Sequence, residues 1–250
     1  MNTHRKFLNH RQRRWLRTAF SKCRIALNIN HLEAILYLNK TGCQWENLPR
    51  HYGPYTTVYH HFRALSECGI LSKIIKRFSE KVRSKSKRNK RPTVAVIDSQ
   101  SVRSALPQSQ KGIDGNKRIK GIKRQIAVDS QGLPLAVSTT SANIHDSKGA
   151  SELLKNLAEL YPTISLVKAD NGYQGALKNI VDYSINLELR CVKSNFGTSD
   201  FVPLEGRWVV ERSISWLENY RRLCRNYERF LSTALAMCQI SCIAILLKRL

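Results

Sequence analysis

Acidic residues are scarce in this chain of 250 residues, which contains 18 Asp and Glu against 42 Lys and Arg and has a formal net charge of +24. Such an excess of one sign repels itself in a compact fold, so a polyanionic partner is expected. Nucleic acid is the first candidate and an acidic membrane surface the second. The excess is concentrated near the start, because residues 1–92 hold 21 of the basic residues and only 4 of the acidic ones.

Several other patterns are missing. None of the seven cysteines forms a Cys-x-x-Cys pair, and no His accompanies Cys238 and Cys242, so we expect buried free cysteines rather than a disulfide framework or a zinc site. Residues 1–17 are basic and lack the apolar core of a secretory signal, which favours a cytoplasmic protein. A Gly-rich phosphate loop of the Walker type is also absent, so ATP is not expected as a partner.

The longest stretch without charge runs over the 18 residues 230–247. This length is at the lower limit for a membrane span. The stretch contains four polar residues, Ser232, Thr233, Gln239 and Ser241. We therefore expect a helix packed on a sheet, with no membrane partner.

The first part of the chain has helical periodicity. Apolar spacing predicts helices over 30–40, 56–67 and 73–82, and Gly42 is a typical helix terminator. Helices joined by turns in a basic setting predict a small helix-turn-helix-like DNA-binding domain at 1–82. Residues 83–92 form a basic linker, in which the charge run 83–91 is either a solvated connection or an arm that contacts phosphates.

After Pro92 the chain changes character, and residues 93–250 are predicted to form one α/β domain. Short β-branched or apolar runs predict five strands of a mixed sheet, and amphipathic runs predict its flanking helices. The predicted strands are 93–97, 124–129, 133–140, 164–167 and 187–192, and the predicted helices are 147–160, 173–183 and 208–229.

Three acids stand out by position. Asp98 and Asp170 follow the apolar runs of the first and fourth predicted strands, and Glu211 lies one turn into the last long helix. Side chains at strand ends often carry function in open α/β sheets. Three carboxylates brought together would repel one another unless a cation neutralised them, and hard oxygen ligands suit Mg²⁺ or Mn²⁺. Taken singly, each acid fits an ordinary turn residue or surface carboxylate better, but that explanation weakens because all three fit one strand order in a basic chain.

Four segments of the chain resemble segments of the DDE transposases of bacterial insertion sequences, in the IS-five group of the IS-four superfamily, and they occur in the same order as in those enzymes. The stretch between the two aspartates, 117–146, resembles the corresponding part of these enzymes. Two positions depart from the signature around the glutamate, since Leu204 stands in place of a Tyr and Glu218 in place of a Lys. The four segments are 34–62, 94–103 (VAVIDSQSVR), 167–175 (VKADNGYQG) and 207–229.

The resemblance implies an RNase H-like catalytic domain in which Asp98, Asp170 and Glu211 hold two Mg²⁺ ions, with Mn²⁺ as a substitute. It further implies binding to double-stranded DNA, namely the terminal inverted repeats of the element and the target, followed by strand cleavage and strand transfer. A homodimer is expected because two element ends are joined in one event. The alternative is a catalytically inactive or repurposed DNA-binding protein derived from a transposase.

Candidate DNA contacts fall into three groups. Residues of the helical domain are candidates for recognition of the terminal repeat. A basic cluster before the second predicted strand is either a phosphate-binding cradle or a solvated loop. Two arginines that flank Glu211 are candidates for contacts with the phosphate backbone near the reacting bond. A buried aromatic is the alternative for Tyr59. The adjacent His145 and Asp146 are not expected to form a catalytic dyad, because neighbours on an extended chain point to opposite faces. The candidates are Tyr55, Tyr59, His60, Arg63, Lys117, Lys120, Lys123, Arg124, Arg207 and Arg212.

Overall fold

The computed structural model describes residues 7–21, 28–175, 187–192 and 207–250. Within these ranges a helical region precedes a mixed sheet with helices on both faces. The helices are α1 His10–Ser21, α2 Ile29–Thr41, α3 Tyr55–Glu67, α4 Ile70–Lys85, α5 Asp146–Leu160, α6 Arg207–Glu218 and α7 Leu231–Leu247. The strands are β1 Val94–Arg103, β2 Gly112–Asp114, β3 Ile119–Val128, β4 Pro134–Ser141, β5 Leu166–Asp170 and β6 Glu188–Val192.

The helical region begins and ends its helices at identifiable residues. The Asn28 side chain caps α2 by accepting from the Asn30 N–H, and Gly42 ends the helix with a φ of +74°. The predicted helical region is therefore confirmed in the described part of 1–82. One boundary differs: α4 continues to Lys85, so the predicted linker at 83–92 starts inside a helix.

The sheet contains all five predicted strands and one further short strand, β2. β1 pairs antiparallel with β3 and parallel with β5, which is in turn parallel to β6. β3 also pairs antiparallel with β4 over most of its length and with β2 at its first residues. This arrangement places β1 and β5, the two strands that carry the predicted aspartates, next to each other.

Alternation along β1 divides the core into two clusters. Val96 lies in a cluster with α6, α7 and the N-terminal helices, whereas Ala95 and Ile97 lie in a cluster with α5. Side chains two residues apart share a face of a strand, so Asp98 belongs to the face that α6 and α7 cover.

The uncharged stretch at 230–247 forms α7, which is buried between the sheet and the N-terminal helices. Cys238 and Cys242 are buried on it, as expected. Asn39 of α2, itself buried, donates to the Met237 carbonyl and to Ser241 Oγ, both at 2.9 Å. In the part of the chain that the structure describes, no helix is both long and apolar enough to cross a membrane.

Two predicted boundaries near the candidate acids are wrong. β1 does not end before Asp98 but continues to Arg103, because its ladder with β3 extends to the Arg103–Gly121 pair. The helix predicted for 208–229 ends at Glu218 and is followed by a 3-10 turn at Arg221–Leu223. A helix was also predicted for 173–183. Tyr173 instead ends a 3-10 turn, and residues 176–183 lie outside the described residues.

Candidate active site

Asp98 and Asp170 lie on neighbouring strands. The parallel register of β1 and β5 pairs Val94 with Leu166 and Val96 with Lys168. The pairing ends there, and Asp98 and Asp170 each lie two residues beyond the last pair, at the same end of neighbouring parallel strands. Both side chains are partly buried. The two predicted aspartates therefore lie at the same end of neighbouring strands, and Asp98 is on the face of the sheet that α6 covers.

Helix α6 brings Glu211 to the edge of this face. Its apolar side packs into the core beside Val96, while Glu211 is exposed. Gln100 Nε2 donates to Glu218 Oε1 at 2.7 Å. Gln100 shares the strand face of Asp98, and Glu218 lies two helical turns after Glu211 on the same side of α6. The side of α6 that carries Glu211 therefore borders the strand face that carries Asp98.

The turn between β3 and β4 anchors α6. Ser213 Oγ donates to the Gly132 carbonyl and Arg212 Nη2 to the Gln131 carbonyl, both at 2.8 Å. Gly132 has a φ of +81°, and a Cβ there would lie 2.6 Å from Ser213 Oγ. Only glycine suits both the backbone conformation and the close approach. This turn thereby sets the position of the helix that carries Glu211.

Asp170 is held by the turn that follows β5. Its Oδ1 accepts from the Gly172 N–H at 3.0 Å. Tyr173, at the end of this turn, is buried. Burial first, and then the negative charges of Asp98, Asp146 and Asp170, raise the pKa of the Tyr173 hydroxyl well above its ordinary value. Tyr173 is therefore a neutral phenol close to three carboxylates.

Asp146 is the third of these carboxylates, and from sequence a turn or a supporting role was expected for it rather than a place in the triad. Its Oδ1 accepts from Ser99 Oγ at 2.8 Å and pairs with Lys123 Nζ at 3.1 Å. The Ser99 N–H in turn donates to Asp98 Oδ1 at 2.7 Å. A Cβ on Gly172 would lie 4.0 Å from Asp146 Oδ2 and 3.2 Å from Asp170 Oδ1. Asp146 therefore contacts Ser99, the neighbour of Asp98, and lies near the Gly172 turn that follows Asp170.

Comparison with known proteins identifies the family. Residues 89–247, more than half of the chain, match the family described as "Transposase DDE domain". The chain belongs to this family. Together with the strand order, membership confirms the α/β, RNase H-like class predicted from sequence. Residues 6–75 also match the family described as "Putative transposase of IS4/5 family".

Two individual proteins resemble this DDE family member. The "Putative transposase for insertion sequence element IS402" of Burkholderia cepacia is 30% identical over 139 residues, which are 50% of this chain and 62% of that protein. The chain thus spans less than two thirds of the length of this curated relative. The crystal structure of the catalytic core domain of BIV integrase aligns at 13% identity with a TM-score of 0.32, over 58% of this chain and 80% of that one. A likeness at that level carries no functional argument.

Divalent metal ions, which DDE transposases use, match the donor chemistry of the predicted triad. Asp98, Asp170 and Glu211 offer only carboxylate oxygens, the ligands that hard divalent cations prefer. The structure does not bring the three carboxylates together into a closed metal site, because among the described residues no three His, Cys, Asp or Glu side chains lie close enough together to hold an ion. The two aspartates lie at the same end of neighbouring strands, and Glu211 is exposed on α6.

Two of the predicted phosphate contacts need correction. Lys123 is only 5% exposed, and its ammonium lies 3.1 Å from Asp146 and 3.8 Å from Asp114. Arg124 is 4% exposed and donates to the Leu223 carbonyl. Buried cations that are engaged with protein groups are not available to DNA, so neither residue forms part of a phosphate cradle. Their neighbours Lys117 and Lys120 are exposed and remain predicted contacts.

The other predicted DNA contacts lie in varied surroundings. Tyr55 and His60 are exposed on α3. Tyr59 is half-buried with its ring 5.2 Å from that of Trp45, which agrees with the alternative of a packed aromatic. Arg63 is partly exposed and pairs with Glu67 at 2.8 Å.

Of the two arginines that flank Glu211, the structure describes the side chain of Arg212 only. Arg212 is partly buried and directed at the turn after β3, as described above. The side chain of Arg207 lies outside what the structure describes, and so does Leu204. The prediction that Arg207 contacts a phosphate therefore stays a prediction.

Proposed function

We propose that this chain is an active transposase that binds the terminal inverted repeats of its own element and then cuts and joins DNA through Asp98, Asp170 and Glu211. The observation that supports this most is the parallel pairing of β1 and β5, the two strands that carry the aspartates, against which the helix that carries the glutamate packs. The family match over 89–247 includes all three residues.

In this proposal Asp98, Asp170 and Glu211 hold two Mg²⁺ ions, for which Mn²⁺ substitutes. When bound, the ions supply positive charge that activates the attacking oxygen and stabilises the leaving oxygen. Backbone N–H groups of Ser99 and Gly172 orient the two aspartates by donating to one oxygen of each.

Two reactions follow in sequence at this site. In the first, a water oxygen loses a proton and bonds to the phosphorus at the element end, the bond from phosphorus to the 3′ oxygen breaks, and that oxygen takes up a proton to become a 3′-hydroxyl. In the second, the freed 3′-hydroxyl bonds to a phosphorus of target DNA and displaces the 3′ oxygen of the target strand. Each step replaces one phosphorus–oxygen bond by another, so no ATP is needed.

DNA binding in this proposal relies on the helical region and on the exposed lysines near the sheet. The region 1–92 holds half of the basic residues of the chain. Tyr55, His60 and Arg63 on α3 would contact the repeat, and Lys117 and Lys120 the phosphate backbone near the site. Two chains would act together as a homodimer, because two element ends must be joined in one event.

The test uses duplexes that carry the inverted repeats flanking the reading frame, with Mg²⁺ or Mn²⁺. We expect the parent to produce both cut and joined products, and Asp98→Ala, Asp170→Ala and Glu211→Ala each to abolish both while repeat binding persists. Glu152→Ala, which removes an exposed acid of α5, is the matched control and should retain activity. Cleavage by Asp98→Ala at the parental rate would contradict the assignment of the triad.

Two results would favour other functions. Repeat binding by the parent without any product in either metal would favour the DNA-binding protein without catalysis. Cut products without joined products would favour a nuclease of the same fold.

A further inference from the structure

Asp129, the residue after β3, is fully buried and pairs with two arginines of the basic linker 83–92. Its Oδ2 accepts from Arg83 Nη1 and from Arg88 Nη1, the latter at 2.8 Å. Arg88 also donates to Ser130 Oγ at 2.8 Å. Two cations of the charge run in this linker are therefore engaged with protein groups rather than with solvent.

The second oxygen of Asp129 builds the turn between β3 and β4. Oδ1 accepts from the N–H groups of Gln131 at 2.8 Å and of Leu133 at 3.0 Å. The backbone adds two bonds, since the Asp129 N–H donates to the Leu133 carbonyl at 3.0 Å and the Asp129 carbonyl accepts from the Gly132 N–H at 2.9 Å. One side chain therefore determines the shape of this turn and also its contact with the linker.

The same turn carries the contacts to α6. The Gln131 carbonyl accepts from Arg212 and the Gly132 carbonyl accepts from Ser213, both at 2.8 Å. Both carbonyls belong to the short piece of backbone between the two N–H groups that the Asp129 carboxylate binds. The position of α6 therefore depends on backbone that this carboxylate holds at both ends.

A carboxylate without exposure to solvent depends on its cations. Removal of one partner of a buried ion pair leaves charge uncompensated, and the remaining groups rearrange or admit water to solvate it. In Asp129 such a rearrangement would disturb the bonds of Oδ1 to the turn, because both oxygens belong to one rigid, planar group. The arginines of the linker thereby influence the carbonyls that hold α6.

We propose that Asp129 is a positioning residue for Glu211, because it couples the arginines of the linker to the turn that holds α6. The inference rests on the proposed function, in which Glu211 takes part in cutting and joining DNA. Glu211 directly precedes Arg212 and Ser213, whose side chains contact the turn, so a shift of the turn moves the glutamate with them. A misplacement of about 1 Å is enough to lower a reaction rate roughly 100-fold.

The test uses Arg88→Met, which removes the less buried of the two cations while Arg83 still pairs with Asp129. The first readout is amide hydrogen exchange of the full chain without DNA or metal. We expect exchange in residues 211–218 of α6 to become about 10-fold faster or more, whereas exchange in α5, which packs in the other core cluster, stays at the parental rate.

Arg91→Met is the matched control for this readout. It removes the same charge from an exposed position of the same linker and should leave the exchange of α6 unchanged. Arg88→Lys retains a cation beside Asp129 and should stay closer to the parent than Arg88→Met. Thermal unfolding of each variant checks that the fold is intact.

The second readout is cleavage of the inverted-repeat duplex in Mg²⁺. Arg88→Met should lower the rate at saturating DNA roughly 10- to 100-fold, because Glu211 is displaced. The DNA concentration that gives half of the maximal rate should rise no more than it does in Arg91→Met. This split separates a displaced Glu211 from a lost phosphate contact, since a lost contact raises the DNA concentration that is needed and leaves the rate at saturation unchanged.

Three outcomes would overturn the proposal. Unchanged exchange in α6 of Arg88→Met would show that the linker and the helix are not coupled. Equally faster exchange in α5 and α6 would reduce the ion pair to a contribution to global stability. Faster exchange in α6 with a parental rate at saturating DNA would show that Glu211 does not depend on the coupling. A parent that cuts no DNA would contradict the proposed function instead, and hydrogen exchange would still decide whether the linker and α6 are coupled.

Discussion

Lys123 and Asp146 form an ion pair, 3.1 Å from Nζ to Oδ1, beneath the strand that carries Asp98. The lysine side chain is 7% exposed and that of the aspartate 29%. The lysine also lies 3.8 Å from Asp114 on β2. The buried ammonium group of Lys123 on β3 thus links Asp114 of β2 with Asp146 of α5, close to Ser99, the immediate neighbour of Asp98.

Lys123→Met should destabilise the fold by about 3 kcal/mol or more, because it leaves buried carboxylates without their cation. Chemical denaturation measures this change in the free energy of unfolding. Arg190→Met is the control, since Arg190 and Glu188 form a pair with both side chains at least 60% exposed. Such a pair contributes at most about 1 kcal/mol. Equal losses from the two variants would show that the buried pair has no special role.

Asp146→Asn should lower the rate of strand cleavage roughly 10- to 100-fold, an effect typical of groups that orient metal ligands. The amide retains an oxygen for Ser99 but loses the charge that pairs with Lys123. Cleavage at saturating DNA, measured across Mg²⁺ concentrations, is the readout. Glu152→Gln, an exposed substitution on the same helix, should match the parent. If Asp146→Asn changed only thermal stability, its role would be confined to the fold.

Gly132→Ala should destabilise the protein by about 1–3 kcal/mol, because the residue adopts a φ of +81° and its new methyl group would press on Ser213 Oγ. The rate of cleavage should decrease by more than the loss of folded protein explains, because α6 and Glu211 would shift together. Gly115→Ala is the comparison, because a Cβ there meets nothing within 4 Å. Thermal unfolding and cleavage assays on both variants check this expectation, and an inactive Gly115→Ala would argue against it.

Asn39→Ala should destabilise the whole described fold by about 1–3 kcal/mol, since it removes two buried hydrogen bonds between α2 and α7. Calorimetry should still show a single transition, because the helical region and the sheet share one core cluster. Asn116→Ala, in an exposed turn, should have little effect. Two separate transitions, with only the first one lowered, would mean that the helical region unfolds on its own.

The strands were predictable from sequence because their apolar runs are local. The extent of β1 was not: residues 99–103 are mostly polar, and only the ladder with β3 holds them in extended form. The end of α6 was missed for a similar reason. Tyr220 and Leu223 continue the helical apolar stripe, but they are buried in a 3-10 turn in which Arg222 pairs with Glu228 at 2.9 Å.

The aspartates of the candidate site could be located from sequence, and their supporting groups could not. Asp98 and Asp170 follow apolar runs, which is a local signal. The role of Lys123 depends on Asp146 and Asp114, which approach it only through the pairing of β2 and the packing of α5. In the sequence, the buried Lys123 therefore looks the same as an exposed lysine that contacts a phosphate, because both lie in a basic run.

The burial of α7 between the helical region and the sheet has a consequence for the DNA. The helical region and the sheet share one core, which packs α3 at a set position relative to the strands that carry Asp98 and Asp170. Under the proposed function, the protein thereby dictates how many base pairs lie between the recognised sequence and the cut bond. Inserting half a helical turn of DNA between them would move the bond to the opposite side of the duplex, where no carboxylate could reach it.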